Sequence, residues 1–220
     1  MDNMIERIAQ CVERGKISKQ SPFPPDMKDQ DGADEIAAEA IKQGVKPDEL
    51  LEGCMLGMER IGEKFSQNKV FVPELLMAAK AMTAVMNHLK PFLESGEVKH
   101  KGQFVIGTVS GDLHDIGKNL VSMTIKGHGF DVIDLGVDVS PEKFIKAVED
   151  NPGCFVGLSA LLTTTMGNME KSVKAIKETH PDTKVLIGGA PVNQKFCDKI
   201  GADFYSGDPQ GAASYLNRNV

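Results

Sequence analysis

The chain has 220 residues, with 25 Lys plus Arg against 31 Asp plus Glu, a net charge of -6 and a pI near 5.4. That length suits one large or two small domains with working cores, and the acidic balance argues against nucleic acid or an anionic membrane as partner. Cys11, Cys54, Cys154 and Cys197 form no Cys-x-x-Cys pair and lie at no short spacing to a histidine, which speaks against a disulfide scaffold or a zinc site and for a reducing compartment.

The N-terminus, MDNMIERIAQ, is charged and amphipathic and lacks the apolar core of a signal peptide. No later apolar run approaches the roughly 18 residues of a membrane span, so a cytoplasmic location is expected. Ile5, Ile8 and Val12 make a first short helical stripe. Ser21-Pro22-Phe23-Pro24-Pro25-Asp26 cannot continue it and reads as a loop. Ile36, Ala37, Ala40 and Ile41 make a second stripe that Gly44 is placed to end. Two longer stripes follow: Leu51, Cys54, Met55, Met58, Ile61, Phe65, and then Leu75, Ala79, Met82, Met86, Leu89, Leu93. Residues 1–94 are therefore expected to form a four-helix bundle. The polar, glycine-bearing SGEVKHKG of residues 95–102 reads as a linker.

From residue 103 to 220 short apolar runs alternate with helical segments. The strands are expected at Phe104–Gly107, Val132–Leu135, Phe155–Leu158, Val185–Ile187 and Asp203–Tyr205. The helices between them are expected at Asp115–Gly127, Pro141–Glu149, Gly167–Thr179 and Val192–Ile200. The pattern predicts an α/β domain with a doubly wound, five-stranded parallel sheet, whose ligands bind beyond the carboxyl ends of the strands. Three distinctive segments follow strands and so converge on that edge: Gly107–Val121 after the first, Ser159–Thr165 after the third, and Gly188-Gly189-Ala190 after the fourth.

Gly107, Gly111 and Gly117 lack the spacing of a dinucleotide loop, and Ser159 stands where a receiver domain needs an aspartate. A flavodoxin-like flavin site stays open, because small polar groups at a helix N-terminus can hold a phosphate. It leaves His114 unexplained. An imidazole with a carboxylate two residues away has the grammar of a metal ligand and its supporting acceptor, yet His88, His100, His128 and His180 lie elsewhere in the sequence and no cysteine accompanies it. A metal held by a single protein ligand must bring its own coordination sphere. Taken alone, His114 is more often a turn histidine than a ligand; Asp115 reads as a helix-start carboxylate, Thr164 as a cap, and Gly188-Gly189 as a tight strand exit.

The pattern Asp112-x-His114-x-x-Gly117, Ser159-x-Leu161 and Gly188-Gly189 resembles the signature of cobalamin-binding domains, with 41 residues between Gly117 and Ser159 and 26 between Leu161 and Gly188. The stretch Lys64–Leu75 is similar to the helical cap of methyl-transferring relatives, and the resemblance runs from about Ala33 onward. Small corrinoid proteins of methylotrophic archaea and acetogenic bacteria, related to the cobalamin module of methionine synthase, are the nearest likeness. The resemblance implies a Rossmann-like domain that binds cobalamin with its own base displaced, His114 as lower axial ligand to cobalt and Asp112 as its hydrogen-bond partner. Gly117, Gly188 and Gly189 would make room for the cofactor's tail. Ser159, with Leu161 in the same segment, and Thr163 would meet the displaced base, and Thr165 would take the relay position that a serine holds in methionine synthase. Phe65 and Val72 would cover the methyl-bearing face.

The function so implied is that of a methyl carrier. Cobalt(I) would take a methyl group from a one-carbon donor with a substrate-specific methyltransferase, and a second methyltransferase would pass it to tetrahydrofolate or a thiol such as coenzyme M, with a reductive activator in support. Which donor is used, whether methanol, a methylamine, an aryl methyl ether or a quaternary amine, would rest on the partner. A cobalamin-responsive regulator is the alternative from another class, but would carry a basic DNA-binding helix; a mutase subunit normally lacks the helical cap.

Overall fold

A computed structural model describes residues 2–95 and 99–220. The chain divides into two compact units, Met1–His100 with Gly127–Gly129, and Lys101–Lys126 with Phe130–Val220. Part of the segment expected to be a linker, residues 96–98, lies outside the described residues.

The first unit holds α1 (Asp2–Arg14), a 3-10 turn at Pro25–Met27, α2 (Ala33–Lys42), α3 (Pro47–Ser66) and α4 (Val72–Glu94). The expected stripes supply much of its core: Ile8, Val12, Ile36, Cys54, Met58, Leu75, Met82 and Leu89 are buried, joined by Leu50 and Val85 from outside them. What the apolar count missed is the close approach of α1 to α3. A Cβ at Gly57 would stand 2.6 Å from the Ala9 carbonyl oxygen, and one at Gly53 would stand 2.9 Å from that of Ile5, so only glycine allows the two backbones this near. Gly44, at φ 75°, ends α2 as expected; its N–H and that of Val45 donate to the carbonyls of Ile41 and Ala40. The proline-rich segment is tied to the helices by Arg14, which pairs with the Asp26 carboxylate at 2.7 Å, and by the buried Lys16, whose Nζ donates to the Ser21 carbonyl at 2.9 Å.

The second unit is a parallel sheet in the order β2-β1-β3-β4-β5, built from β1 (Gln103–Thr108), β2 (Asp131–Asp134), β3 (Phe155–Ser159), β4 (Val185–Gly188) and β5 (Phe204–Ser206). The connections carry α5 (Ile116–Gly127), α6 (Pro141–Asp150), α7 (Met166–Thr179) and α8 (Gln194–Ile200). This is the doubly wound flavodoxin-like order, and it confirms the expected fold class. Alternation along the strands sorts the core into two layers: Val105, Val156 and Ile187 pack with Phe144 and Val173, while Phe104, Phe155 and Leu186 pack with Ile125 and Leu216. The edges of β2 and β5 shift by one residue from expectation. The last crossover helix starts later than Val192 because Asn193 caps it, its side-chain oxygen accepting the Phe196 N–H at 2.9 Å.

A further helix, α9 (Pro209–Arg218), was not anticipated. Its start signal is present in the sequence, since Asp208 precedes Pro209 and accepts the Gly211 N–H at 2.9 Å. Ala212, Ala213 and Leu216 bury its apolar face against the Phe104 layer.

Candidate cofactor site

The strand order reverses between the parallel neighbours β1 and β3, since β1 connects outward to β2 on one side and β3 to β4 on the other, and this is where a doubly wound sheet opens a crevice. Register places Thr108 beside Ser159, Ser159 beside Gly188 and Gly188 beside Ser206 at the carboxyl edge. The loops carrying Asp112, His114, Leu161, Thr163, Thr165 and Gly189 leave from those strand ends, so the sequence-predicted residues of this unit share one edge. Phe65 and Val72 belong to the first unit, near the end of α3 and at the start of α4, and each is half-buried there.

Asp112 is the centre of the arrangement. It is fully buried, and Oδ1 accepts from the His114 ring Nδ1 at 2.8 Å and from the His114 amide at 3.1 Å. Oδ2 accepts from the Leu161 amide at 2.8 Å, the Leu162 amide at 3.3 Å and the Thr165 hydroxyl at 2.8 Å. Burial alone pushes this carboxyl up; the Leu161 amide, the His114 ring, the Thr165 hydroxyl and the His114 amide outweigh it, and the group stays well below the usual carboxylate range. An ionised carboxylate only accepts hydrogen bonds, so His114 must carry its proton on Nδ1. In the neutral ring the lone pair is then on Nε2, which makes no hydrogen bond among the described residues. The ring itself is 51 % exposed.

The two segments that meet at Asp112 also expose apolar side chains: Leu113 and Ile116 in the loop and at the start of α5, and Leu161 and Leu162 after β3. Leu161, singled out through the motif, contributes its amide to Asp112 and leaves its side chain in solvent. The Ser159 and Thr163 hydroxyls have no protein partner among the described residues. Thr165 reaches Asp112 from a 3-10 turn at Thr163–Thr165. The capping expected of Thr164 is not found, since neither that turn nor α7 has a side-chain cap bond. Nor does Asp115 cap α5 through an amide: its carboxylate accepts from the Asn119 side chain at 3.1 Å.

The glycines separate into two kinds. Gly189, at φ 125°, needs to be glycine for the fold's own reasons, since a Cβ there would lie 1.8 Å from the Ala160 carbonyl oxygen. Gly117 has nothing within 4 Å of its would-be Cβ. No neighbour in the chain demands a bare backbone at Gly117. An imidazole nitrogen without a protein partner among the described residues, exposed apolar side chains on the adjoining segments, free hydroxyls and this bare helix start together fit a large, flat, metal-bearing cofactor with a tail.

Sequence reasoning did not single out the residues that hold the loop itself. Thr108 donates its hydroxyl to the His114 carbonyl at 2.9 Å, Lys118 pairs with Asp134 while 3 % exposed, and Asp138 and Asn168 bond to Ser110 and Gly111.

The sheet and the site define a protein of the B12-binding class: a family model described as B12 binding domain matches residues 102–213, and a second so described matches residues 28–90. The chain belongs to this family, as the three-part motif indicated. It is 42 % identical over 182 residues to trimethylamine corrinoid protein 1 of Methanosarcina mazei, covering 80 % of this chain and 84 % of that one. It is 41 % identical over 174 residues to dimethylamine corrinoid protein 2 of Methanosarcina acetivorans, covering 77 % and 81 %. Among solved structures it is similar to the methanol:cobalamin methyltransferase complex MtaBC from Methanosarcina barkeri, with a TM-score of 0.81 and 28 % identity over 99 % of this chain and 80 % of that chain. No helix among the described residues is long and apolar enough to cross a membrane.

Proposed function

We propose that the chain is a corrinoid methyl carrier: residues 103–220 bind cobalamin with its own base displaced, His114 Nε2 is the lower axial ligand to cobalt, and residues 1–94 form the cap, joined by 95–102. The Asp112–His114 pair carries this reading, with Nδ1 tied to a fully buried carboxylate at 2.8 Å and the ring 51 % exposed. Such an imidazole offers one lone pair in one direction. Among the described residues no group of three or more metal-binding side chains stands ready to complete a coordination sphere, and a macrocycle-bound metal brings its own.

When bound, the corrinoid supplies a cobalt centre able to accept a methyl group when reduced and to yield it to a nucleophile. The chain's residues position and tune that centre. Asp112 fixes the tautomer and the orientation of the ring, so that Nε2 is the nitrogen left to bind. The Leu161 and Leu162 amides and the Thr165 hydroxyl keep the carboxylate ionised, so that it remains an acceptor for the His114 ring. Ser159 and Thr163 offer hydroxyls to the displaced base, Gly117 and Gly188 leave space for the tail, and Phe65 and Val72 shield the methyl-bearing face. A substrate-specific methyltransferase loads the carrier, a second one unloads it to tetrahydrofolate or a thiol such as coenzyme M, and a reductive activator maintains it. The relatives named for trimethylamine and dimethylamine make a methylated amine the first donor to assay.

The test is reconstitution with hydroxocobalamin, removal of free cofactor, reduction to cobalt(II), and absorption and EPR spectra of the wild type beside His114→Ala. A retained cofactor whose axial-nitrogen splitting is lost in the variant supports the assignment. Failure of the folded wild type to retain any corrinoid, or a splitting that survives in His114→Ala, overturns it.

A further inference from the structure

The loop that carries Asp112 and His114 is gripped from outside by two residues to which the methyl-carrier reading gives no role. Asp138, in the connection from β2 to α6, has φ 53°, in the left-handed region. Its Oδ1 accepts the Gly111 amide at 2.7 Å and the Ser110 hydroxyl at 3.2 Å, and its own amide donates to the Asp112 carbonyl at 3.0 Å. Asn168, in the first turn of α7, donates Nδ2 to the Ser110 carbonyl at 2.8 Å. Gly111 sits at φ 82°, so the turn itself has a wide choice of conformations when nothing holds it. A non-glycine residue in the left-handed region carries strain, and such strain persists where the surroundings over-determine it. Here every side-chain bond of Asp138 ends on Ser110 or Gly111.

We propose that Asp138 and Asn168 are positioning residues that fix the Ser110–Gly111 turn, and with it the Asp112–His114 pair, in the metal-binding conformation before the cofactor arrives. A ring on an unrestrained loop loses conformational entropy each time it binds, and a ring already held loses less. The consequence for coordination rests on His114 being the axial ligand. The preorganisation itself is a property of the apo chain and is measured there.

Three variants separate the contributions. Asp138→Gly keeps a backbone that accepts φ 53° and removes the carboxylate; Asp138→Asn keeps both an Oδ1 acceptor and tolerance of that conformation; Asn168→Ala removes the opposite tether. In the apo protein, amide exchange of His114 is followed by NMR, because that amide bonds to Asp112 and not to the altered residues. Exchange in Asp138→Gly is expected to speed up about threefold to tenfold, the scale of losing one or two exposed hydrogen bonds, with Asp138→Asn near wild type and Asn168→Ala moving as the glycine variant does. The Val156 amide in the central strand is the reference. In the cobalamin-loaded protein, the fraction of cobalt(II) showing axial-nitrogen splitting is expected to fall in Asp138→Gly and to return in Asp138→Asn. Unchanged His114 exchange in Asp138→Gly, or a change matched at Val156, overturns the proposal. If the splitting survives in His114→Ala, the ligand assignment is what fails, and the apo exchange rates still decide whether Asp138 positions the loop.

Discussion

Thr165 donates its hydroxyl to Asp112 at 2.8 Å across 53 residues of sequence, and both side chains are buried. That bond joins the segment after β3 to the loop after β1, and it occupies the carboxylate oxygen that His114 leaves free. Replacing Thr165 with valine keeps the shape and removes the donor. We expect the apo protein to lose about 1–2 kcal/mol in urea denaturation, with Thr165→Ser recovering most of it. A valine variant as stable as wild type would mean that the two backbone amides suffice.

Asp112→Asn tests the charge. The folded-state carboxyl lies below its ordinary value, so the stability it contributes is fully present above the unfolded pKa of about 4 and is lost as the pH falls through the folded value. The variant should be less stable than wild type by roughly 1.5–3 kcal/mol at pH 7. That gap should be flat above about pH 5 and narrow below about pH 4; a gap that widens in acid would contradict the assignment of an ionised, hydrogen-bonded carboxylate.

The two glycines should part company. Gly189→Ala places a Cβ against the Ala160 carbonyl at a left-handed backbone and should cost roughly 2–5 kcal/mol of apo stability. Gly117→Ala meets nothing within 4 Å and should leave the apo protein unchanged or up to about 1 kcal/mol more stable, as alanine favours the helix. The same Gly117 variant should retain less cobalamin after reconstitution. Thermal unfolding of both variants, followed by measurement of bound corrinoid, separates a glycine needed by the fold from one needed by the ligand.

All four cysteines are buried as free thiols. Burial pushes Cys11, Cys154 and Cys197 each up to about 11, and it raises Cys54 further still. Ellman's reagent at pH 8 should therefore react slowly with the native protein and rapidly once it is unfolded. A fast native phase would point to a thiol in an exposed state that the structure does not contain.

Much of this molecule was legible from local pattern. The stripe from Leu75 to Leu89 became the buried face of α4, and the runs at Phe104, Phe155 and Val185 became adjacent strands, because helix and strand periods are properties of a short stretch of backbone. Local pattern also carried the start of α9 at Asp208-Pro209, a signal that went unread. The close approach of α1 at Gly53 and Gly57 was hidden, since a count of apolar side chains assigns no weight to their absence.

By itself the sequence determined the alternating α/β order, the helical N-terminal half and a motif spacing specific enough to name the B12-binding family. Only the tertiary structure decided which groups complete the site. The Leu161 amide that meets Asp112 is 49 residues away, and the Asn168 amide that meets Ser110 is 58. Asp138 reaches Gly111 from the far side of the loop across 27 residues. Those meetings follow from the order β2-β1-β3-β4-β5, which sets the β2 and β3 connections on either side of β1. Strand order arises from packing the whole sheet, and no short segment of the chain encodes it.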